Sequence, residues 1–259
     1  MRLFCMFLVL ASLTALAWSQ EPEEEHFSYS MERVRLRASA QLPTNFIGYL
    51  QSFGYRIFRT PEEEEGNDND AGNDKHKDKD KDKDADEKKL VCEVFWAKKI
   101  RSGAESPSGV LYGNLKQGSL IGIIHFLVIE RYVRDYRSQM LRPGYYTMRY
   151  AIMPKGANEN EPRDFVLLTP VSADRSPTVV LPLTTLVHRS RLASPIHRPV
   201  AMSLVAIDTD ERFPSLITDD QGTSVLQVKL PSVASGGKVA QSIPIALVVI
   251  TWIPEDLGD

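Results

Sequence analysis

Short apolar runs separated by turn-forming clusters dominate the chain from residue 90 onward. The runs have the length of strands, and Pro, Gly, Asn and Asp residues separate them, which favours antiparallel sheets over helices. The eight predicted strands are 91–97, 110–115, 120–132, 145–153, 164–169, 200–206, 225–230 and 243–252. This number and spacing of strands predicts a mainly β protein with a β-sandwich domain over residues 90–259.

One short helix interrupts this pattern at residues 183–193, where apolar residues recur with helical spacing between Pro182 and Pro195. Residues 20–60 are mixed. An alternation over 33–38 predicts a strand, and 44–53 predicts a second short helix with Thr44 as N-cap and Gly54 at its end. The sequence leaves open whether residues 20–60 complete the sandwich or form an appendage.

Residues 61–89 form a charged low-complexity segment with 13 acidic and 7 basic residues and no Val, Ile, Leu or aromatic residue. Such a segment cannot bury enough apolar surface to offset its ordering entropy, so we expect a disordered insertion. Its alternating aspartates also raise a calcium hypothesis. The glycine and glutamate of an EF-hand loop are replaced by Lys83 and Lys89 when the count starts at Asp78, which argues against that hypothesis.

Residues 1–19 have the features of a secretory signal peptide, namely Arg2, an apolar stretch over 3–16, and small residues at Ala17 and Ser19. We therefore expect a secreted or periplasmic protein that begins near Gln20 and has no membrane span after cleavage. The formal net charge of −3 and the pI near 6.0 argue against nucleic acid as a partner.

The mature chain would keep a single cysteine, Cys92, because Cys5 lies in the predicted leader. A disulfide framework is therefore excluded. Cys92 lies within the apolar run 90–96, and we expect a buried thiol rather than a catalytic one.

The most informative motif spans residues 135–150. Pro143-Gly144 suits a tight turn, and the strand that follows alternates Tyr146, Met148 and Tyr150 with residues of the opposite face. Such a turn resembles those of extracellular β-sandwich modules of the transthyretin-like and carboxypeptidase-regulatory-like kinds. The resemblance implies an immunoglobulin-like or transthyretin-like sandwich, in which the Tyr146 hydroxyl bonds across the corner.

A longer pattern, Asp135-Tyr136-Arg137, then 143–150, then Arg163-Asp164 and the strand up to Pro170, resembles a set of uncharacterised secreted bacterial proteins. The resemblance covers residues 108–206. It implies an extracellular or periplasmic location and a domain type, but no activity.

Aromatic and arginine residues cluster near the predicted turns, and these residue types dominate binding hot spots. We therefore predict a non-enzymatic protein that binds an envelope protein or glycan, without a cofactor, a metal ion or catalytic residues. The candidate contact residues are Tyr132, Tyr136, Tyr145, Arg149 and Arg163. In one interpretation Arg163 or Asp164 meets Arg149, Asp135 or Tyr136 in a polar site; in the other these residues form salt bridges that anchor loops.

The alternative function is a hydrolase or metal-binding enzyme that uses His125, His188 or His197 as its base or ligand. No Gly-x-Ser-x-Gly elbow, phosphate-binding loop or dinucleotide fingerprint is present in the sequence. A histidine and a carboxylate that converge in one pocket of the structure would support this alternative.

Overall fold

The computed structural model describes residues 27–39, 41–61, 88–103, 109–127, 134–154, 163–234 and 241–251. The predicted signal peptide, residues 62–87 of the predicted disordered insertion, and Tyr132 lie outside these ranges. Within the ranges no helix is long and apolar enough to cross a membrane.

The described residues form strands with few helices. The strands are β1 (Phe27–Arg35), β2 (Phe53–Pro61), β3 (Lys89–Trp96), β4 (Ile100–Arg101), β5 (Leu120–Phe126), β6 (Gly144–Ile152), β7 (Asp164–Pro170), β8 (Ala201–Ser203), β9 (Ser215–Thr218), β10 (Ser224–Leu230), β11 (Ser232–Val233) and β12 (Ile243–Ile250). The helices are α1 (Thr44–Ile47) and α2 (Leu183–Ser190), and a 3₁₀ turn over Arg191–Ala193 continues α2.

A seven-stranded antiparallel sheet in the order β1-β2-β3-β5-β6-β7-β8 forms the large layer. A three-stranded sheet, β12-β10-β9, forms the small layer, and β4 and β11 pair in parallel as a separate two-stranded sheet. At one end β9 lies beside β1, and at the other Leu204, after β8, bridges to Leu247 of β12.

The two layers enclose one apolar core. The large sheet contributes residues such as Ile57, Val94 and Met148, and the small sheet contributes residues such as Leu226 and Leu247. The predicted mainly β, sandwich-like fold is therefore confirmed, although the topology is not specific to the immunoglobulin or the transthyretin arrangement.

The second face of the large sheet is covered by the helices. Phe46 of α1 packs with Phe95 and Leu120, and Leu186 of α2 packs with Phe165. Successive strand residues point to opposite faces, and the central strands are covered on both faces. This explains why these strands are continuous apolar runs in the sequence.

The sequence misplaced some elements. Residues 110–115 form turns rather than the predicted strand, because the buried Asp164 carboxylate accepts the backbone N–H groups of Leu111 and Tyr112. Helix α1 ends at Ile47, Pro43 rather than Thr44 is its N-cap, and Gly54 belongs to β2 rather than ending the helix.

Strands β1 and β2 extend the large sheet, an arrangement that the sequence had left open. Strands β2 and β3, on either side of residues 62–87, pair directly, with Arg59 opposite Lys89. The charged segment therefore connects two neighbouring antiparallel strands.

Candidate functional site

A concave pocket of about 590 Å³ opens where β3, β4 and β5 meet the loop that precedes α2. We call it the basic pocket. Its charged lining residues are Lys98, Lys99, Arg101 and Lys116, and no acidic residue is found among the described residues that line it. Lys98 and Lys99 lie between β3 and β4, Arg101 ends β4, and Lys116 lies in the turn before β5.

Two of these cations support the walls of the pocket. The Lys98 ammonium donates to the Gly48 carbonyl oxygen at 2.8 Å, and the Arg101 guanidinium donates to the Thr178 carbonyl oxygen at 2.9 Å. Lys99 and Lys116 are exposed, and no other described residue engages their ammonium groups. These two cations are therefore available to an anionic ligand.

Ser119 adds a polar group to the same pocket. It is only 2% exposed, and its Oγ has no hydrogen-bond partner among the described residues. Buried hydroxyl groups are normally hydrogen-bonded, so a ligand oxygen is a suitable partner for this group.

The far wall of the basic pocket, residues 177–180, is held by Arg149. This side chain is fully buried, and its Nε and Nη2 donate to the two carboxylate oxygens of Asp174 at 2.5 and 3.0 Å. Its remaining N–H groups donate to the carbonyl oxygens of Gly118, Ser176 and Val179. All five guanidinium donors are thus used, and a buried charge of this kind is stable only with such complete pairing.

Gly118 allows this wall to pack closely against the chain at the start of β5. It has a φ of +86°, and a Cβ at this position would lie 2.0 Å from the Leu181 carbonyl oxygen. The close approach therefore requires glycine in both backbone conformation and volume.

A row of four polar side chains crosses the helix-covered face of the large sheet. Arg56, Glu93, His125 and Tyr145 are successive cross-strand neighbours on β2, β3, β5 and β6. The Glu93 carboxylate accepts from Arg56 Nε at 2.8 Å and lies 3.0 Å from His125 Nδ1. The His125 and Tyr145 rings stack at 3.7 Å between centroids. The hydrogen bond with His125, supported by Arg56, lowers the pKa of Glu93 against the opposing effect of burial.

Beside this row lies a smaller cavity of about 160 Å³, which we call the arginine recess. Arg35 and Arg37, from the chain that leaves β1, and Arg56 of β2 line it together with Glu93 and Tyr145. Its apolar lining includes Leu42 and Phe95, which belong to the cluster under α1.

The structure does not bring together the four predicted contact residues that it describes. Tyr136 packs its ring against Phe165 at 4.6 Å, and Arg163 donates to the Met153 carbonyl oxygen. Tyr145 lines the arginine recess, whereas Arg149 is fully buried and cannot touch a surface ligand. Tyr132 lies outside the described residues.

Arg149 and Asp164, two residues of the expected polar site, have separate partners. Arg149 pairs with Asp174, and Asp164 accepts from the Tyr150 hydroxyl and anchors the turn at 111–112. Asp164 therefore anchors a loop, as in the second interpretation, but through hydrogen bonds to backbone N–H groups rather than the salt bridge expected there.

Two local predictions are confirmed. The Tyr146 hydroxyl donates to the Arg142 carbonyl oxygen at 2.5 Å across the turn, and burial raises its pKa to about 12. Cys92 is fully buried, and burial raises the pKa of its thiol.

Of the three candidate histidines, His125 approaches a carboxylate, while His188 and His197 are exposed. Among the described residues, no group of three or more His, Cys, Asp or Glu side chains is arranged to hold a metal ion. Glu93 lines the arginine recess, whereas His125 is not among the described lining residues of either cavity, so the enzyme hypothesis stays a prediction.

The basic pocket was not predicted from the sequence. The local signal was the run Lys98-Lys99-Ile100-Arg101 immediately after an apolar strand. Lys116 and residues 177–180 are distant in the sequence, and only the fold brings them to that run.

No protein-family model matches the chain, and comparisons with curated proteins and with solved structures likewise find no match.

Proposed function

We propose that this chain is a non-enzymatic, secreted or periplasmic β-sandwich protein that binds an anionic group of an envelope component in the basic pocket. The observation that carries the proposal is the convergence of Lys98, Lys99, Arg101 and Lys116 around one cavity whose described lining has no acidic residue. The signal-peptide pattern of residues 1–19 supports the location.

The pocket has the usual properties of a small-molecule or glycan site. Its volume lies within the range of roughly 300 to 1,000 Å³ that is typical of ligand pockets. Tyr49, 46% exposed, offers an aromatic ring at the pocket, and Ser119 offers a hydroxyl group. Lysine ammonium groups attract anionic groups without imposing a fixed geometry.

The experiment is an NMR titration of the ¹⁵N-labelled mature protein, residues 20–259, with galacturonate and with inorganic phosphate at low ionic strength. We expect the amide signals of residues 98–102 and Ser119 to shift. The Lys99→Gln/Lys116→Gln double variant should bind roughly three- to tenfold more weakly, because it lacks two exposed charge contacts.

The matched control is Arg191→Gln/Arg198→Gln, which removes two exposed positive charges outside the pocket lining. This control should keep the wild-type affinity. Equal weakening in both double variants would show that only the overall charge matters and would overturn the proposal, as would shifts confined to other parts of the protein.

A further inference from the structure

The arginine recess contains more positive than negative charge. Its carboxylate, Glu93, is already engaged by Arg56 and His125. Arg37 is exposed, and no other described residue engages its guanidinium group. The Arg56 side chain is 42% exposed although it bonds to Glu93. Guanidinium groups bind carboxylates and other oxyanions through paired N–H donors, so the recess suits one small acidic group.

The recess and the basic pocket lie along the same strand. Glu93 and Phe95 of β3 line the recess, and Ala97, just after β3, lines the basic pocket. At the rise of a β-strand, Glu93 and Ala97 are about 13 Å apart. Both cavities also border the apolar cluster under α1, the recess through Phe95 and the basic pocket through Leu120.

We infer that the arginine recess is a second anion site, and that it and the basic pocket bind separate acidic groups of one acidic glycan chain. The inference rests on the proposed function and names its ligand class. At the basic pocket the glycan would meet the exposed Tyr49, whose ring is suited to stack on a sugar.

An acidic glycan fits the two cationic cavities better than an acidic protein or a nucleic acid does. Lysine is depleted at the centres of protein–protein interfaces, whereas it makes up most of the charge of the basic pocket. A general nucleic-acid binder would be strongly basic, but the chain has a formal net charge of −3.

The experiment measures affinity and stoichiometry by calorimetry for oligogalacturonates of one to eight sugars, each sugar carrying one carboxylate. Short oligomers should bind at two sites per protein. Oligomers long enough to span both sites should bind one per protein with a steep gain in affinity, because the second contact becomes intramolecular.

The diagnostic variant is Arg37→Gln, with Arg198→Gln as the matched exposed control. Arg37→Gln should remove one short-oligomer site and weaken long oligomers roughly tenfold, as expected for loss of a charged hydrogen bond. It should leave the response of the basic pocket to galacturonate monomer unchanged, and an unaltered thermal midpoint should show that the variant is folded.

The outcomes separate the two proposals. If Arg37→Gln changes neither stoichiometry nor affinity while Lys99→Gln/Lys116→Gln still weakens binding, the second site is overturned and the proposed function stands. If neither variant matters, both proposals are overturned. If oligoglutamate of equal charge binds more tightly than the glycan and responds equally to Arg37→Gln, the ligand is an acidic protein segment and the glycan inference is wrong.

Discussion

Glu93 stays ionised although it is buried, because side chains on the two neighbouring strands compensate its negative charge. The residue is 8% exposed, and Arg56 and His125 take one carboxylate oxygen each. Burial alone would raise the pKa of this carboxyl, whereas the hydrogen bonds lower it. At the residue scale, the register of three strands sets the ionisation of one side chain.

This arrangement predicts an acid-dependent loss of stability. A carboxyl whose pKa is lower in the folded state stabilises the fold at pH values above its unfolded pKa of about 4.3, and the contribution disappears as pH falls through the folded value. In urea unfolding at pH 7, Glu93→Gln should lower the free energy of unfolding by about 1 to 3 kcal/mol. The difference from wild type should shrink towards pH 3.

Glu32→Gln is the control for that measurement. Its carboxylate is 57% exposed and lies 3.9 Å from Lys88, so the pair should contribute little. If the difference in unfolding free energy between Glu93→Gln and wild type stays constant from pH 7 to pH 3, the assignment of the lowered pKa to folded-state contacts is contradicted.

At the scale of elements, the wall of the basic pocket is shaped by buried contacts rather than by regular structure. The loop over residues 174–181 has no strand or helix, yet Arg149 bonds to three points on it and Gly118 packs against its end. Buried packing and hydrogen bonds of this kind hold a loop in the position that a ligand site requires.

Gly118→Ala tests this description. The added methyl group would meet the Leu181 carbonyl oxygen, and alanine disfavours a φ of +86°. We expect the free energy of unfolding to fall by about 1 to 3 kcal/mol or more, measured by urea denaturation. Galacturonate binding at the basic pocket should weaken as well.

The matched control is Gly48→Ala, which changes a glycine that lines the basic pocket. Gly48 has a helical φ of −62°, and a Cβ there has no atom within 4 Å. Its stability should stay at or slightly above that of wild type. Equal losses of unfolding free energy in Gly118→Ala and Gly48→Ala would contradict the role of the positive φ and of the close Leu181 contact at Gly118.

At the scale of the whole molecule, the two sheets meet at both ends of the sandwich, and the charged segment connects two neighbouring strands of the large sheet. The pairing of β2 with β3 is antiparallel on both sides of residues 62–87, so a short turn is sufficient to connect them. The fold therefore does not depend on the length of this connection.

Replacing residues 62–87 by a four-residue glycine-rich turn should preserve the fold. Shortening the loop should raise the free energy of unfolding by about 1 to 2 kcal/mol, because less closure entropy is lost. Urea denaturation and circular dichroism check this outcome. A matched replacement of the same length by a Gly-Ser sequence should leave stability near wild type, and unfolding of the shortened protein would show that the segment contributes to the fold.

The sequence by itself determined the mainly β class, most central strands, the helix near residue 183, the Tyr146 corner and the burial of Cys92. These features depend on periodicity, turn residues and local apolar runs, which act over a few residues. The sequence pattern predicted a strand at residues 110–115, which is wrong, because Asp164, more than 50 positions away, holds this apolar run in turns.

The tertiary structure alone decided that β1 and β2 join the large sheet, that Arg149 is a buried anchor, and that two cationic cavities lie along β3. Arg149 and Arg37 look equally suited to bind a ligand when only their type and neighbours are known. One is enclosed by a loop that begins 25 residues later, and the other stays exposed. Sites of this kind depend on strand order and register, which are set by packing across the whole chain.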